Sequence, residues 1–117
     1  MRILGIDPGC AITGFSIIDY EGNKFRLITS GAILTEAHTS FPIRLEKIYK
    51  DLTGIIEEYK PDAMAIEELF FNNNAKTAIN VAQARGVILV ATKFKRYTNI
   101  RIYSTTGKTG CCRIWKS

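Results

Sequence analysis

The chain has 117 residues, of which 46% are hydrophobic, and its formal net charge is +5. This length predicts one domain with a modest core, and the apolar content argues against a disordered chain. No apolar run is long enough to cross a bilayer and no secretory signal opens the sequence, so the expected location is cytoplasmic, without membrane contact. The basic charge suits a polyanionic partner, although an ordinary solvated surface explains it equally well.

Short β-prone runs at the start of the chain predict three strands in succession. The first is Arg2–Asp7, which is ended by Pro8-Gly9. The second is Thr13–Tyr20, and the turn-forming residues Glu21–Lys24 connect it to a third strand over Phe25–Leu34. Tight turns between consecutive strands predict an antiparallel meander.

The pattern then changes to helix and strand in alternation. Apolar residues at helical spacing from Leu45 to Tyr59 predict a first helix, with Ser40 as its N-cap and Lys60-Pro61-Asp62 at its end. Ala63–Glu67 is the predicted fourth strand. Ala78 to Leu89 predict a second helix, in which Gly86 would allow the sheet or another subunit to approach closely. With a fifth strand over Ile100–Tyr103, the order βββαβαβ predicts an α/β fold with a mixed five-stranded sheet and helices on its faces.

Two carboxylates end two of these predicted strands. Asp7 closes the first strand and Glu67 closes the fourth. If those strands are neighbours, the two anions converge at one sheet edge, where they repel unless a cation lies between them. Mg²⁺ is the expected cation, and a pair of such ions supports phosphodiester cleavage. Without such pairing, Asp7 would merely start a turn, and Glu67 with Glu68 would form a solvated strand end.

An aromatic and asparagine-rich segment follows the second carboxylate. Phe70 and Phe71 precede Asn72–Asn74. An aromatic ring beside a metal site can stack on an unpaired base, and asparagine amides such as that of Asn74 can donate to phosphates. The alternative is that the rings fold into the core, which we expect for Phe71 rather than Phe70.

Three segments of the sequence together resemble the RuvC family of bacterial Holliday junction resolvases. They are LGIDPG with the following TGF, then PDAMAIEELFFNNNAKTA, then QARGVIL, and the resemblance runs from Met1 to about Ile100. It implies an RNase H-like fold and a homodimer that cleaves symmetric strands of four-way junction DNA with two Mg²⁺ ions, for which Mn²⁺ can substitute. It also implies the RuvA and RuvB junction-migration helicase complex as a partner.

The resemblance assigns roles to particular residues. Asp7 and Glu67 match the first two of the family's four metal-binding catalytic carboxylates. Phe70 matches the aromatic residue that stacks on bases at the junction core. The second helix, which carries Ala82, Arg85, Gly86 and Leu89, matches the element used for dimer contact.

The resemblance stops where the tail RIYSTTGKTGCCRIWKS begins. The family has an EYTP…VK…G-x-G-x-A series there, followed by a C-terminal helix with the other two acids. The tail can be encoded so that reading from the second base of its first codon gives EYTPLQVKQAVVGYGKA, which matches that series. We therefore expect an incomplete nuclease domain over residues 1–100, a frameshifted tail over residues 101–117, a missing C-terminal helix, and lost or impaired cleavage.

Three other interpretations remain open at this point. The first is a junction-binding protein that does not cleave DNA. The second is a non-functional product of a broken reading frame. The third is an ATP-binding domain of the same fold, because DPGCAITG resembles the phosphate-binding loops of sugar kinases and actin-like ATPases. In every case we expect the apolar residues Ile114 and Trp115 not to repack specifically over the sheet surface that the missing helix covers.

Overall fold

The computed structural model describes residues 1–9, 11–68, 75–94, 100–106 and 112–115. Within these ranges the predicted order βββαβαβ is confirmed, and one further strand follows it. The elements are β1 (Arg2–Asp7), β2 (Ile12–Glu21), β3 (Lys24–Leu34), α1 (Phe41–Tyr59), β4 (Ala63–Glu68), α2 (Ala75–Phe94), β5 (Arg101–Thr106) and β6 (Cys112–Trp115).

The strands form one mixed sheet in the order β3-β2-β1-β4-β5-β6. β1 to β3 make the predicted antiparallel meander, whereas β4 pairs in parallel with both β1 and β5. β6 lies antiparallel to β5, with Tyr103 opposite Ile114 and Ile102 opposite Trp115. The tail therefore lengthens the sheet at its edge through backbone pairing, which the sequence analysis did not predict.

The hairpin between β2 and β3 has the turn that its sequence favours. Gly22 and Asn23 have φ angles of 55° and 64°, and a two-residue turn with positive φ at both positions matches the twist of the flanking strands. The Tyr20 hydroxyl donates to Asn23 Oδ1 at 3.0 Å, and its ring centroid lies 4.6 Å from that of Phe25. These contacts fix the register of the meander that carries one side of the candidate site.

Both helices pack against the same face of the sheet. Alternate residues of β1 and β4 point toward them, because successive side chains of a strand lie on opposite faces. The core consists of fully or nearly fully buried side chains from the sheet and the two helices: Leu4, Ile6, Ile17, Ile33, Ile48, Leu52, Ile56, Met64, Ile66, Ala84, Ile88, Ala91, Ile100 and Ile102. The residues between them in β1 and β4 therefore face away from the helices. No helix in the described ranges has the length and apolar character that a membrane span needs.

Arg2 ties the start of the sheet to the end of α1. Its guanidinium donates to Asp19 on β2 at 2.8 and 3.1 Å and to the backbone carbonyl of Tyr59 at 3.1 Å. Its backbone N–H donates to the Asp62 carboxylate at 2.8 Å. The hydrogen bond from Arg2 lowers the pKa of Asp19. One side chain thus links β1, β2 and the C-terminal end of α1.

Candidate metal centre

The fold brings the two predicted carboxylates together. β1 and β4 are parallel neighbours in which Gly5 pairs with Ala65 and Ile6 pairs with Ile66. Asp7 and Glu67 each follow by one residue, so both lie at the carboxyl end of their strands and on the face opposite the helices. Ligand sites in sheets with parallel strands lie at these ends.

The two carboxyl groups interact directly. A hydrogen bond with Asp7 raises the pKa of Glu67, and repulsion by the Asp7 charge and partial desolvation act in the same direction. Ionising both of two neighbouring carboxyl groups costs free energy, so Glu67 holds its proton more tightly than an isolated carboxyl group does. A cation between them would remove that cost by replacing the proton.

The donor set fits a hard divalent cation. Asp7 and Glu67 offer only carboxylate oxygens, which Mg²⁺ prefers, and both residues are accessible at the sheet edge. Within the described ranges, no group of three or more His, Cys, Asp or Glu side chains is close enough to hold a metal ion. The described part of the site therefore supplies two acidic ligands, and water would fill the other coordination positions.

An open cleft of about 390 Å³ leads to these carboxylates. Four of the residues lining its floor on β1, β2 and β4 are small: Gly5, Gly14, Ser16 and Ala65. The lining residues are Gly5, Ile6, Asp7, Gly14, Phe15, Ser16, Ala65 and Glu67. A ligand with a bulky anionic backbone can approach Asp7 and Glu67 across this floor.

The turn after Asp7 is held by a buried threonine. Thr13 is 1% exposed, and its hydroxyl donates to the Gly9 carbonyl at 2.9 Å. A Cβ on residue 9 would lie 2.1 Å from the Ile12 carbonyl oxygen, so only glycine fits there. Thr13 thereby orients the chain that leaves Asp7. This role of Thr13 was not predicted from the sequence, in which only its place in the TGF segment marks the residue.

The predicted DNA-contacting residues lie outside the described ranges. Phe70 and Asn74 belong to the segment between β4 and α2, which the structure does not describe, and the same holds for Phe71. Their proposed contacts with bases and phosphates stay predictions. The connectivity alone places Phe70 three residues after Glu67.

α2 presents an apolar stripe away from the core. Ile79 and Val90 are each 58% exposed, and Ala82 and Gly86 are exposed between them. A Cβ on Gly86 would have no described atom within 4 Å. We expected either the sheet or another subunit to approach Gly86 closely. Within the described part of the chain, the sheet does not do so.

A family model and individual relatives both match this chain, and they carry the same family description. The model of the family described as crossover junction endodeoxyribonuclease RuvC matches residues 3–109. The RuvC of Finegoldia magna is 49% identical over 106 residues, which cover 91% of this chain and 63% of that protein. The RuvC of Alkaliphilus metalliredigens is 57% identical over 91 residues, which cover 78% of this chain and 56% of that protein.

Solved structures agree with the sequence comparison. The structure of Thermus thermophilus RuvC superposes with a TM-score of 0.80 at 28% identity, covering 91% of this chain and 64% of that one. The structure of the T. thermophilus RuvC in complex with a Holliday junction substrate gives a TM-score of 0.81 at 25% identity, covering 92% of this chain and 65% of that one. The chain thus spans less than two thirds of the length of these relatives. It has their RNase H-like fold, and it belongs to the RuvC crossover junction endodeoxyribonuclease family.

Proposed function

We propose that this chain carries the Asp7–Glu67 half of the metal site of a Holliday junction resolvase. The reaction is hydrolysis of phosphodiester bonds at four-way DNA junctions during recombination and repair. The observation that carries this proposal is the pairing of Asp7 with Glu67 at the carboxyl ends of two adjacent parallel strands, which raises the pKa of Glu67. The family membership and the junction-bound Thermus relative support the same activity.

The residues of the site have distinct tasks. Asp7 and Glu67 would hold Mg²⁺, or Mn²⁺ in its place, and bound Mg²⁺ ions supply water activation and stabilisation of the leaving oxygen. The small side chains of Gly5 and Ala65 leave room for the DNA backbone to approach the carboxylates. Thr13 keeps the turn after Asp7 in place. Phe70 would stack on a base and Asn74 would donate to a phosphate.

The accessible stripe of α2 supports a homodimer. Its four exposed residues, Ile79, Ala82, Gly86 and Val90, recur at the spacing of one helix face. Gly86 allows a second helix to approach closely, because no described atom of the same chain occupies that space. A dimer about this stripe would present two sites to a junction of symmetric strands. The RuvA and RuvB complex and a cytoplasmic location are proposed on family grounds.

We further propose that residues 1–100 are an incomplete nuclease domain and that residues 101–117 come from a shifted reading frame. The support is that the shifted string EYTPLQVKQAVVGYGKA restores the series that the resemblance leads us to expect. Sequencing the genomic DNA past codon 100 tests this directly. A uniform reading frame that encodes RIYSTTGKTGCCRIWKS, with no EYTP string in the neighbouring frame, contradicts it.

Junction binding and cleavage are separated in one experiment. A labelled synthetic four-way junction and a linear duplex of the same sequence are titrated with the chain in EDTA, and cleavage is then followed after Mg²⁺ is added. We expect preferential junction binding with little or no cleavage, and cleavage in a chain whose reading frame is restored from codon 101. Glu67→Gln in the restored chain is expected to bind and not to cut.

Two outcomes oppose this proposal. Equal affinity for duplex and junction contradicts junction recognition, and turnover by the present chain comparable to that of a full-length relative contradicts the expected impairment. The two described acids also favour a second candidate, a junction-binding protein that does not cut, and lack of cleavage by the restored chain would select it. Tight ATP binding would select the ATPase-like interpretation.

A further inference from the structure

The cleft contains one hydroxyl group to which the proposed function assigns no role. Ser16 on β2 lies opposite Gly5, and Gly14 lies opposite Asp7. Directly opposed residues of an antiparallel pair share a face, and alternate residues of one strand do so too. Ser16 therefore lies on the same face of the sheet as Asp7 and Glu67, and all three line the same cleft.

The orientation of this hydroxyl is defined by its neighbour on β1. Ser16 Oγ is 2.8 Å from the place that a Cβ on Gly5 would occupy. The hydroxyl thus points toward β1 and lies in the space above Gly5, instead of pointing toward β3. Beyond Gly5 the next residue of the floor is Ala65, whose side chain is only a methyl group.

The hydroxyl has no hydrogen-bond partner within the described part of the chain, where the side-chain hydrogen bonds involve other residues. Serine is a weak strand former compared with threonine or valine, so local propensity does not explain its presence in the middle of β2. A half-buried hydroxyl needs a donor or acceptor. The open cleft supplies water, and the nearest charged groups on that floor are the two carboxylates.

We propose that Ser16 is a positioning residue of the metal site, whose hydroxyl holds a water molecule of the hydration shell of the divalent ion. This inference rests on the proposed binding of that ion by Asp7 and Glu67. Ser16 is a diagonal neighbour of Asp7 across the antiparallel pair, and such residues lie about 7–8 Å apart. Ser16 is therefore too distant from Asp7 to share direct ligation and close enough to reach a coordinated water. Mg²⁺ bound by one or two carboxylates keeps several waters, and groups that orient such outer contacts contribute to affinity.

Mn²⁺ is the probe, because free Mn²⁺ is counted directly by electron paramagnetic resonance. The affinity is measured for the unmodified chain and for Ser16→Ala, Ser16→Thr, Ser16→Val and Ser30→Ala. Ser30 is the matched control, because it is an exposed serine opposite Ser16 on β3 and one strand farther from Asp7. Thr and Val have nearly the same shape, and only Thr keeps the hydroxyl.

We expect Ser16→Ala and Ser16→Val to weaken Mn²⁺ binding about ten-fold, the lower end of the effect of outer-shell partners. Ser16→Thr and Ser30→Ala should stay within about two-fold of the unmodified chain. The thermal midpoints of the Thr and Val variants in EDTA should agree, since a purely structural role would alter stability and leave metal affinity unchanged. If Ser16→Ala does not fold, the comparison of Thr with Val still decides.

The possible failures are distinguishable. If Asp7→Asn abolishes Mn²⁺ binding while Ser16→Val binds as tightly as Ser16→Thr, the Ser16 inference is overturned and the metal site stands. If the unmodified chain binds no Mn²⁺, or Asp7→Asn leaves binding unchanged, the proposed metal site and the role of Ser16 are both overturned. Equal weakening in Ser30→Ala shows a non-local effect and also overturns the Ser16 inference.

Discussion

Replacing Glu67 by glutamine should stabilise the metal-free protein. Contact with Asp7 raises the pKa of Glu67 in the folded state, so the folded chain holds this proton more tightly than the unfolded chain does. The resulting contribution to stability is complete below the unfolded-state pKa of about 4.3 and is lost as the pH rises through the folded-state value. At neutral pH two carboxylates then repel each other, and Glu67→Gln removes that repulsion.

The expected size follows from the exposure of the pair. Two unit charges about 4 Å apart interact by about 1 kcal/mol in water, which is the appropriate limit for groups at an accessible sheet edge. For a chain of this length, about 1 kcal/mol corresponds to a rise of roughly 4 °C in the midpoint of thermal unfolding. The difference between the two proteins should disappear as the pH falls below the unfolded-state pKa of Glu67, about 4.3, because Glu67 is then protonated in both the folded and the unfolded chain.

Thermal unfolding followed by circular dichroism tests this in EDTA and in Mg²⁺. Mg²⁺ at ten times its dissociation constant should raise the free energy of unfolding of the unmodified chain by about 1.4 kcal/mol, and its midpoint should rise accordingly. The midpoint of Glu67→Gln should be nearly unchanged by Mg²⁺. Glu36→Gln is the control, because Glu36 is an exposed glutamate outside the cleft. A Glu67→Gln protein that is less stable than the original in EDTA at pH 7, or equally responsive to Mg²⁺, refutes the reasoning.

Three further substitutions test the fold and the dimer. Lys60 ends α1 with a φ of 49°, a conformation that glycine adopts more easily. Lys60→Gly should therefore raise the free energy of unfolding, measured by urea denaturation, by about 0.5–1 kcal/mol. A loss of stability would contradict this. Arg2 lowers the pKa of Asp19, so this ion pair stabilises the fold at neutral pH, and its contribution is lost as the pH falls through the folded-state pKa of Asp19. Arg2→Met should therefore lower the free energy of unfolding at neutral pH and make that free energy fall less steeply in acid. An unchanged acid transition would argue against this. A larger side chain at Gly86 meets no described atom of its own chain. Gly86→Leu should therefore leave the monomer as stable as before and abolish the dimers expected in analytical ultracentrifugation. Dimers that survive the change would exclude the α2 stripe as the interface.

The succession of strands and helices along the chain and the places of Asp7 and Glu67 at strand ends could be predicted because local patterns determine them, whereas the adjacency of β1 and β4 entered only as a condition. The alternation in β1 and β4 identifies two buried strands, and a parallel arrangement of these strands places Asp7 beside Glu67. The spacing in α1 likewise predicts the buried residues Ile48 and Leu52. These features need only the period of the apolar residues and the positions where the strands end.

The orientation of α2 could not be predicted in the same way. Its apolar residues occur on every side of the helix, so Ala84 and Ile88 are buried while Ile79 and Val90 are exposed. A pattern without a polar face does not show which side meets the sheet. A helix that packs against its own core on one side and against a second subunit on the other is expected to lack such periodicity.

Contacts between distant groups were also beyond the reach of sequence patterns. The hydrogen bond from Thr13 to Gly9 depends on the path of the turn, and the direction of the Ser16 hydroxyl depends on Gly5 across the strand pair. β6 was missed because the tail lacks the alternation of a longer strand, and its pairing with β5 arises from the free sheet edge. Each of these features becomes visible only when register is known.

Line broadening by Mn²⁺ in the amide spectrum of the ¹⁵N-labelled chain tests the shared ion most directly, because paramagnetic broadening falls steeply with distance from the metal. We predict that the amides of Asp7 and Glu67 and their neighbours on β1 and β4 broaden first, and that Asp7→Asn and Glu67→Gln each abolish the effect. Broadening centred on another part of the molecule, or unchanged by either substitution, would contradict the assignment of these two carboxylates to one metal ion.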